Sequence, residues 1–183
     1  MADRRIPDFQ RLEHNIIDII KEEQIKLGYH YETIRLYYPM ESLNHLLGTD
    51  LQADALKSVL DGFGNYTKER LGQAEWSHQD TRFCILIPAE GVAYVHEKVE
   101  DRHFLREFIE TISRHGTKPE DILAVFHRYS DRVSCEAAAH GEFDYLIYFE
   151  DGEPDEFMYC IKFEGHHAIY HRFTRADYMS FEW

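Results

Sequence analysis

Three aromatic-rich segments near the C-terminus constrain the fold of this chain most strongly. They are FDYLIYFE (143–150), DEFMYCIKF (155–163) and AIYHRF (168–173). Their β-branched and aromatic residues favour strands, and the second segment alternates between two faces. DGEP and EGHH stand between them as turn signals, and such short connections favour antiparallel pairing. With RVSCEAAA (132–139) as a possible further strand, the sequence predicts an antiparallel β-meander of three or four strands.

A pair of amphipathic helices precedes this meander. Apolar residues recur at helical spacing over residues 102–114 and again over 118–129, with Gly116 between them. We place the domain boundary near Gly116, which gives residues 1–115 and 116–183. Because no Gly/Ser linker separates these parts, we expect them to pack together as one unit.

The N-terminal part is read as helix, strand, helix, helix and hairpin. An amphipathic helix is predicted from about Pro7 to Leu27, and Gly28 supplies its stop. ETIRLYYP follows as a short strand and PMESLNHLLG as a short helix. A further helix is predicted over 51–63, and residues 65–80 are polar and irregular apart from a possible helical turn at 67–71.

FCILIPAEGVAYVHEKV (83–99) completes this part as two strands joined by a turn. We expect Phe83, Ile85 and Ile87 to pack inward and Gly91 to form the turn. The order of elements and the positions of Pro88 and Gly91 resemble a winged helix-turn-helix domain. That resemblance implies that residues 51–63 are the recognition helix and that the hairpin is the wing. A generic α+β arrangement of the same elements is the alternative.

The whole chain also resembles an uncharacterised bacterial family. The phrases that carry the likeness are IIDIIKEEQIKLGY, TIRLYYPMESLNHLLG and YCIKFEGHHAIYHRF. The family is one of unknown function from gut clostridia, so the resemblance implies no activity. The fold class predicted from all these segments is α+β: a winged-helix-like N-terminal half, a helical pair and a C-terminal antiparallel meander.

The charge of the chain argues against nucleic acid as a partner. The formal net charge is −14, and the stretch 136–164 contains nine acidic residues and one basic residue, Lys162. Such a surface repels polyphosphate unless a local basic patch overrides it. The candidate contacts for DNA are Lys57, Lys68 and Arg70, while the tip of the predicted wing is Ala89-Glu90.

No segment predicts a metal or cofactor site. Cys160, His166, His167 and His171 lie in one segment, but His167 and His171 would be about 13 Å apart on a strand, too far to share a zinc ion. The other histidines are scattered along the chain, which contains 12. We therefore predict no cofactor.

Acid–base catalysis would need carboxylates and partner groups to converge. Asp144 and Glu150 flank one predicted strand, and Tyr170 and His171 lie on a neighbouring one. Whether they meet depends on strand register, and the alternative is a solvated acidic edge. No nucleophile motif or glycine-rich phosphate loop is present. We therefore name no catalytic residue and do not favour an enzyme.

Cysteine usage and hydropathy favour a cytoplasmic protein. Cys84, Cys135 and Cys160 each fall in a predicted strand, without CxxC spacing, and we interpret them as reduced, buried thiols. No apolar run is long enough to span a membrane, and MADRRIPDFQ contains no signal-peptide pattern.

Three functions remain open. The leading hypothesis is a non-enzymatic interaction or regulatory module that binds a protein partner. The aromatic C-terminal strands, rimmed by acids, would suit a basic or amphipathic partner unless the helices at 102–129 cover them. A winged-helix DNA-binding regulator is the second hypothesis. An enzyme that uses the His- and acid-rich C-terminal half is the third.

Overall fold

The chain forms two compact units, residues 1–100 and 101–183. The structure is a computed structural model that describes residues 6–138 and 141–180. The boundary predicted near Gly116 falls one helix after the observed division between residues 100 and 101. The helix before Gly116 belongs to the second unit because it packs against the helix that follows Gly116. That the two parts pack as one unit stays a prediction.

The first unit combines a three-stranded antiparallel sheet with four helices in its described residues. The strand order is β1-β3-β2, and Leu36 lies opposite Ile85 across the central pairing. In chain order the elements are α1 (Phe9–Leu27), β1 (Ile34–Pro39), α2 (Met40–Leu47), α3 (Ala53–Leu71), β2 (Glu75–Gln79), β3 (Arg82–Ile87) and α4 (Ala89–Lys98).

Helix α1 follows directly from the local sequence. The Asp8 side chain accepts a hydrogen bond from the Arg11 backbone amide at 3.0 Å, which caps the first turn. Leu12, Ile16 and Ile20 recur every four residues and are almost fully buried. The helix ends before Gly28, whose φ of 84° lies in the region that favours glycine. The predicted helix is confirmed.

The predicted second strand of the hairpin at 83–99 is wrong, because residues 89–98 form helix α4. Phe83, Ile85 and Ile87 do pack inward as expected, but Gly91 lies inside α4 rather than in a turn. A Cβ atom at Gly91 would lie 2.2 Å from the Leu71 carbonyl oxygen. Glycine therefore permits a close approach of α4 to the end of α3.

This change removes the wing, so the resemblance to a winged helix is not confirmed. The helix predicted at 51–63 also continues to Leu71, because Phe63, Thr67 and Leu71 keep the helical spacing and are buried. The polar residues between them occupy the exposed face of α3. The segment 75–79, expected to be irregular, pairs with β3 as strand β2.

The second unit is a four-stranded antiparallel meander with helices. The strand order β4-β5-β6-β7 confirms the predicted α+β class and C-terminal meander. Its elements are α5 (His103–Ile112), α6 (Pro119–Tyr129), β4 (Val133–Ala137), β5 (Tyr145–Phe149), β6 (Met158–Glu164), β7 (His167–Phe173) and α7 (Arg175–Ser180). Thr174 caps the last helix, since its hydroxyl accepts from the Asp177 amide at 3.1 Å. Residues 139 and 181–183 of the predicted segments lie outside the described residues.

Helices α5 and α6 cover the aromatic face of this sheet. Phe104 lies edge-on to Phe149 at a ring-centre distance of 4.9 Å, and Phe108 lies edge-on to Tyr159 at 4.7 Å. Phe126 of α6 packs against both strand residues. The sequence left open whether this face is exposed to a partner or covered by the helices at 102–129, and the helices cover it. These aromatic side chains therefore form a core and not a docking surface.

The cysteines differ in burial. Cys160 is buried and Cys84 is half-buried, but Cys135 is exposed, which corrects the expectation of three buried thiols. Cys135 lies on β4, an edge strand of the meander, where β5 is the one neighbouring strand. Edge strands offer less cover to a side chain than central strands.

Candidate functional site

The DNA-contact candidates all lie on α3. Arg70 Nε donates to the Glu13 carboxylate at 2.6 Å, and this hydrogen bond raises the pKa of the Arg70 guanidinium. Lys57 Nζ lies 3.9 Å from the Asp61 carboxylate, and Lys68 is exposed. Two of the three cations therefore have acidic partners within the fold. DNA contact by these residues stays a prediction.

The acid–base candidates of the second unit do not come together. Asp144 precedes β5 and Glu150 follows it, so the strand separates them. The Asp144 carboxylate accepts from the Phe163 amide at 2.7 Å. Tyr170 packs edge-on against Phe108 under α5, whereas His171 stacks near Phe173 on the other face of β7.

The structure brings together three histidines that are scattered in the sequence. The His115 ring centre lies 5.0 Å from that of His166 and 5.3 Å from that of His167. All three are exposed, and the Gly116 amide donates to the His166 carbonyl at 2.8 Å. In residues 6–138 and 141–180, no group of three or more His, Cys, Asp or Glu side chains is arranged to hold a metal ion.

The first unit contains a cleft, which is a better candidate for a binding site than the exposed histidines. About 330 Å³ of space lies within its outline, but this figure includes open solvent, so the cleft is shallow. Its walls come from the last turns of α1, the segment that leads to β1, and one residue of α4. The lining residues are Ile20, Glu23, Gln24, Leu27, Gly28, His30, Glu32, Ile34 and Val92.

The segment between α1 and β1 is held in place by an aromatic stack. The rings of Tyr29 and His96 lie 4.0 Å apart at their centres and are inclined by only 3°. His96 belongs to α4, so the stack fixes the segment that follows Gly28 against that helix. One wall of the cleft is therefore anchored.

Gln24 connects α1 to α4 at the base of the cleft. Its Nε2 atom donates to the Val92 carbonyl at 3.1 Å. This bond assigns the amide orientation, because the reverse would set two oxygens against each other. The Oε1 atom is buried and has no hydrogen-bond partner among the described residues. An uncompensated amide oxygen therefore adds partial negative charge to the wall.

Two carboxylates increase that negative potential. Glu23 and Glu32 are exposed, and neither has an ion pair with another residue of the described chain. The nearby Lys26 instead pairs with Glu22 at 2.7 Å. Ile20 and Val92, which also line the cleft, are buried apolar side chains. The lining therefore combines apolar side chains with two carboxylates and His30.

The comparison with protein families identifies the chain. Residues 9–181 match the family described as a domain of unknown function, E. rectale gene description (DUF3877). The chain belongs to this family. No curated protein and no solved structure matches it. The predicted resemblance of the whole chain to an uncharacterised family of unknown function is confirmed.

The matched region extends from the first residue of α1 into the last residues of the chain. The DUF3877 family therefore includes both units, and the cleft lies within it. Its description states no activity, so any function rests on the geometry. No helix in the described residues is long and apolar enough to cross a membrane.

The cleft residues were not among the predicted site residues. Glu23 and Gln24 occupy positions on α1 that read as an ordinary solvated helix face. One local signal was present: YHYE (29–32) places two tyrosines in a short polar segment directly after a helix stop. Of these two, Tyr29 makes a contact within the fold, its stack on His96.

Proposed function

We propose that this chain is a non-enzymatic module that binds a protein partner through the α1–β1 cleft of its first unit. The observation that carries the proposal is the pair of large apolar side chains at the cleft. Leu27 lines the cleft and is 70% exposed, and Tyr31, between the lining residues His30 and Glu32, is 69% exposed.

Isolated exposed apolar residues are common on protein surfaces and carry little meaning. Here Leu27 and Tyr31 lie four residues apart in the chain and adjoin a concave surface. The Tyr29–His96 stack already orders that segment, so docking does not require it to fold. A preordered surface binds with a smaller entropic cost than a mobile one.

The chemistry of the surface matches that of interface centres. Tyrosine is enriched among the residues that dominate binding energy, and an apolar centre with a polar rim is typical of protein interfaces. The rim here is acidic in a chain of net charge −14. Long-range attraction would therefore accelerate association with a basic partner and slow it with an acidic one.

Site-specific photo-crosslinking tests the proposal. A benzophenone side chain is placed at Tyr31 and, in a separate variant, at Tyr37, which is 73% exposed on β1 of the same unit. Both variants are expressed in cells that carry the chain naturally and are then irradiated. We expect one discrete adduct at position 31 and none of that mass at position 37.

The variant Leu27→Asp tests whether the adduct at position 31 depends on the apolar surface beside it. It adds a charge to the apolar part of the surface, so the adduct at position 31 should disappear while the unfolding midpoint remains close to that of the parent. Leu27→Ser replaces it if the aspartate variant unfolds. Equal adducts at positions 31 and 37, or an adduct at 31 that survives Leu27→Asp, would overturn the proposal.

A further inference from the structure

Strand β4 has one hydrogen-bonded edge and one open edge within the described residues. Its neighbour in the sheet is β5, and the register between the two strands has no interruption. The Glu150 amide donates to the Arg132 carbonyl at 3.0 Å, and the Ala138 amide donates to the Asp144 carbonyl at 3.1 Å. The even-numbered residues of 132–138 therefore direct their backbone groups toward β5.

The odd-numbered residues of β4 direct their N–H and C=O groups to the open edge, because backbone groups alternate sides along an antiparallel strand. These residues are Val133, Cys135 and Ala137. Cys135 and Ala137 are exposed, and Val133 is half-buried. In residues 6–138 and 141–180, no strand other than β5 pairs with this one. The open edge therefore presents a row of donors and acceptors that a further strand can use.

The backbone of this edge is complementary to itself. Val133 and Ala137 lie symmetrically on either side of Cys135. When two copies of β4 run antiparallel with a twofold axis at Cys135, the outward groups of all three residues meet in hydrogen-bonded register. Val133 of one copy then lies opposite Ala137 of the other, and the two Cys135 Cα atoms lie about 5.5 Å apart.

The side chains on the other face of β4 are complementary about the same axis. Ser134 would lie opposite Glu136 of the second copy, and its hydroxyl already donates to Glu136 of its own chain at 3.1 Å. Arg132 would lie diagonally across from the same carboxylate, within reach of a long side chain. The Arg132 side chain is 70% exposed, and its Asp151 partner lies 3.5 Å away, so its other N–H donors can bind a second carboxylate. The symmetry therefore produces two pairs of opposite charge.

We propose that β4 pairs antiparallel with β4 of a second copy of this chain, so that two four-stranded meanders form one continuous sheet. The inference does not rest on the proposed function, because β4 belongs to the second unit and the cleft to the first. The edge is short, and each chain carries a net charge of −14. We therefore expect a weak dimer, with a dissociation constant of roughly tens to hundreds of micromolar.

Disulfide trapping at the twofold axis tests the inference. The starting protein carries Cys84→Ser, and Cys160 is retained because it is buried. Diamide takes two electrons and two protons from a pair of thiols, which leaves one S–S bond between the sulfur atoms. We expect a covalent dimer through Cys135 on a non-reducing gel, because Cα atoms about 5.5 Å apart suit a disulfide.

A thiol at position 137 is the matched control. Cys135→Ser with Ala137→Cys keeps one exposed thiol on the same face of β4, but the symmetry-related position lies about 14 Å away. This variant should form little covalent dimer by itself. When it is mixed with the variant Val133→Cys and Cys135→Ser, the two should form a covalent heterodimer, because positions 133 and 137 lie opposite each other in the proposed register.

Sedimentation velocity measures the association without a crosslink. In the presence of a reductant, the sedimentation coefficient of the parent should rise with protein concentration over the micromolar range. Arg132→Glu should remove most of this rise, because it places like charges beside each other across the axis. Adding Glu136→Arg to that variant reverses both members of each pair and should restore the rise.

Three outcomes would overturn the inference. Equal yields of covalent dimer from thiols at positions 135 and 137 would indicate random collision. Failure of the mixed 133 and 137 variants to crosslink would exclude the proposed register. A sedimentation coefficient of the parent that does not change with concentration would exclude the dimer. None of these measurements involves the cleft, so photo-crosslinking at position 31 tests the proposed function separately.

Discussion

Gln24 in the first unit and Asp155 in the second each have a buried side-chain oxygen, but their surroundings differ. Asp155 accepts from the Tyr159 hydroxyl at 3.1 Å and from the Phe157 amide at 2.9 Å. Arg102 Nη2 also lies 3.1 Å from its carboxylate. Gln24 Oε1 has no hydrogen-bond partner among the described residues.

The difference separates a group that its own chain compensates from one that the described residues leave uncompensated. A buried charge with several donors is compensated by its own chain, so it has no need of a ligand. Among the described residues, the Gln24 oxygen has no donor and the two cleft carboxylates, Glu23 and Glu32, have no ion pair, so negative potential remains at the cleft. The predictions below measure how far these two regions differ.

The largest expected effect is at Asp155. Asp155→Ala should lower the free energy of unfolding by about 3–5 kcal/mol, because it leaves buried donors and the guanidinium of Arg172, whose side chain is 4% exposed, without their carboxylate. Urea unfolding followed by circular dichroism measures the change.

Asp151→Ala is the control, since Asp151 is a more exposed carboxylate in the same unit and lies 3.5 Å from Arg132. Its cost should stay below about 1 kcal/mol. If both variants lost the same small amount, the buried network around Asp155 would contribute no more than a surface ion pair, and the comparison with Gln24 would fail.

A second effect concerns the helix that carries Val92 to the cleft. Gly91→Ala should destabilise the first unit by about 2–3 kcal/mol, because its Cβ would meet the Leu71 carbonyl oxygen at 2.2 Å. Gly62→Ala is the matched substitution on α3, where the nearest atom, on Phe9, would lie 3.5 Å away. That variant should be neutral or more stable by about 0.5–1 kcal/mol.

Thermal and urea unfolding of both alanine variants decide the point. Loss of stability in Gly62→Ala with none in Gly91→Ala would show that α4 does not approach the end of α3 as described. The Val92 carbonyl would then not be in position to accept a hydrogen bond from Gln24, and the described geometry of the cleft would be wrong.

Gly91 also explains why one element was predicted wrongly and others correctly. The meander and α1 have long, unambiguous periodicities with clear stops, such as Gly28, so local sequence is sufficient. The segment after Gly91 is short, and Val92 with Tyr94 fits a strand as well as Val92 with Val95 fits a helix. The contact of Gly91 with the Leu71 carbonyl favours the helix, and that contact joins residues 20 positions apart.

The cleft was beyond sequence prediction for the same reason. Its walls join residues of α1 and β1 with Val92, some 60 positions later in the chain, and no local pattern encodes that approach. The sequence supplied the charges of Glu23 and Glu32, but it could not show that neither has an ion pair within residues 6–138 and 141–180. Likewise, the scattered histidines gave no sign that His115 would lie beside His166.

A smaller effect is expected from the buried thiol of the second unit. Burial raises the pKa of Cys160 from its ordinary value of 9.0 to about 11. Between these values the unfolded chain loses the proton and the folded chain keeps it, so stability falls as the pH rises from 9 to 11. The loss should reach up to about 3 kcal/mol above this window and be nearly absent below pH 9.

The difference in unfolding free energy between pH 8.5 and 10.5 measures this contribution. Cys160→Ala should reduce that difference, while groups that titrate in both proteins cancel. Cys135→Ala should change it less, because Cys135 is exposed. An identical pH dependence in the parent and in Cys160→Ala would contradict burial of this thiol.

The smallest effect is expected at the cleft itself. Without a ligand, Glu23→Gln and Glu32→Gln should change the free energy of unfolding by less than about 0.5 kcal/mol, because neither carboxylate has an ion pair to lose within the described residues. A slight stabilisation is expected, since each substitution relieves repulsion in a chain of net charge −14. Unfolding in urea at low salt, where repulsion is strongest, gives the most sensitive measurement. A loss above about 1 kcal/mol in either variant would mean that the carboxylate stabilises the fold, as Asp155 does, and is not available to a cation.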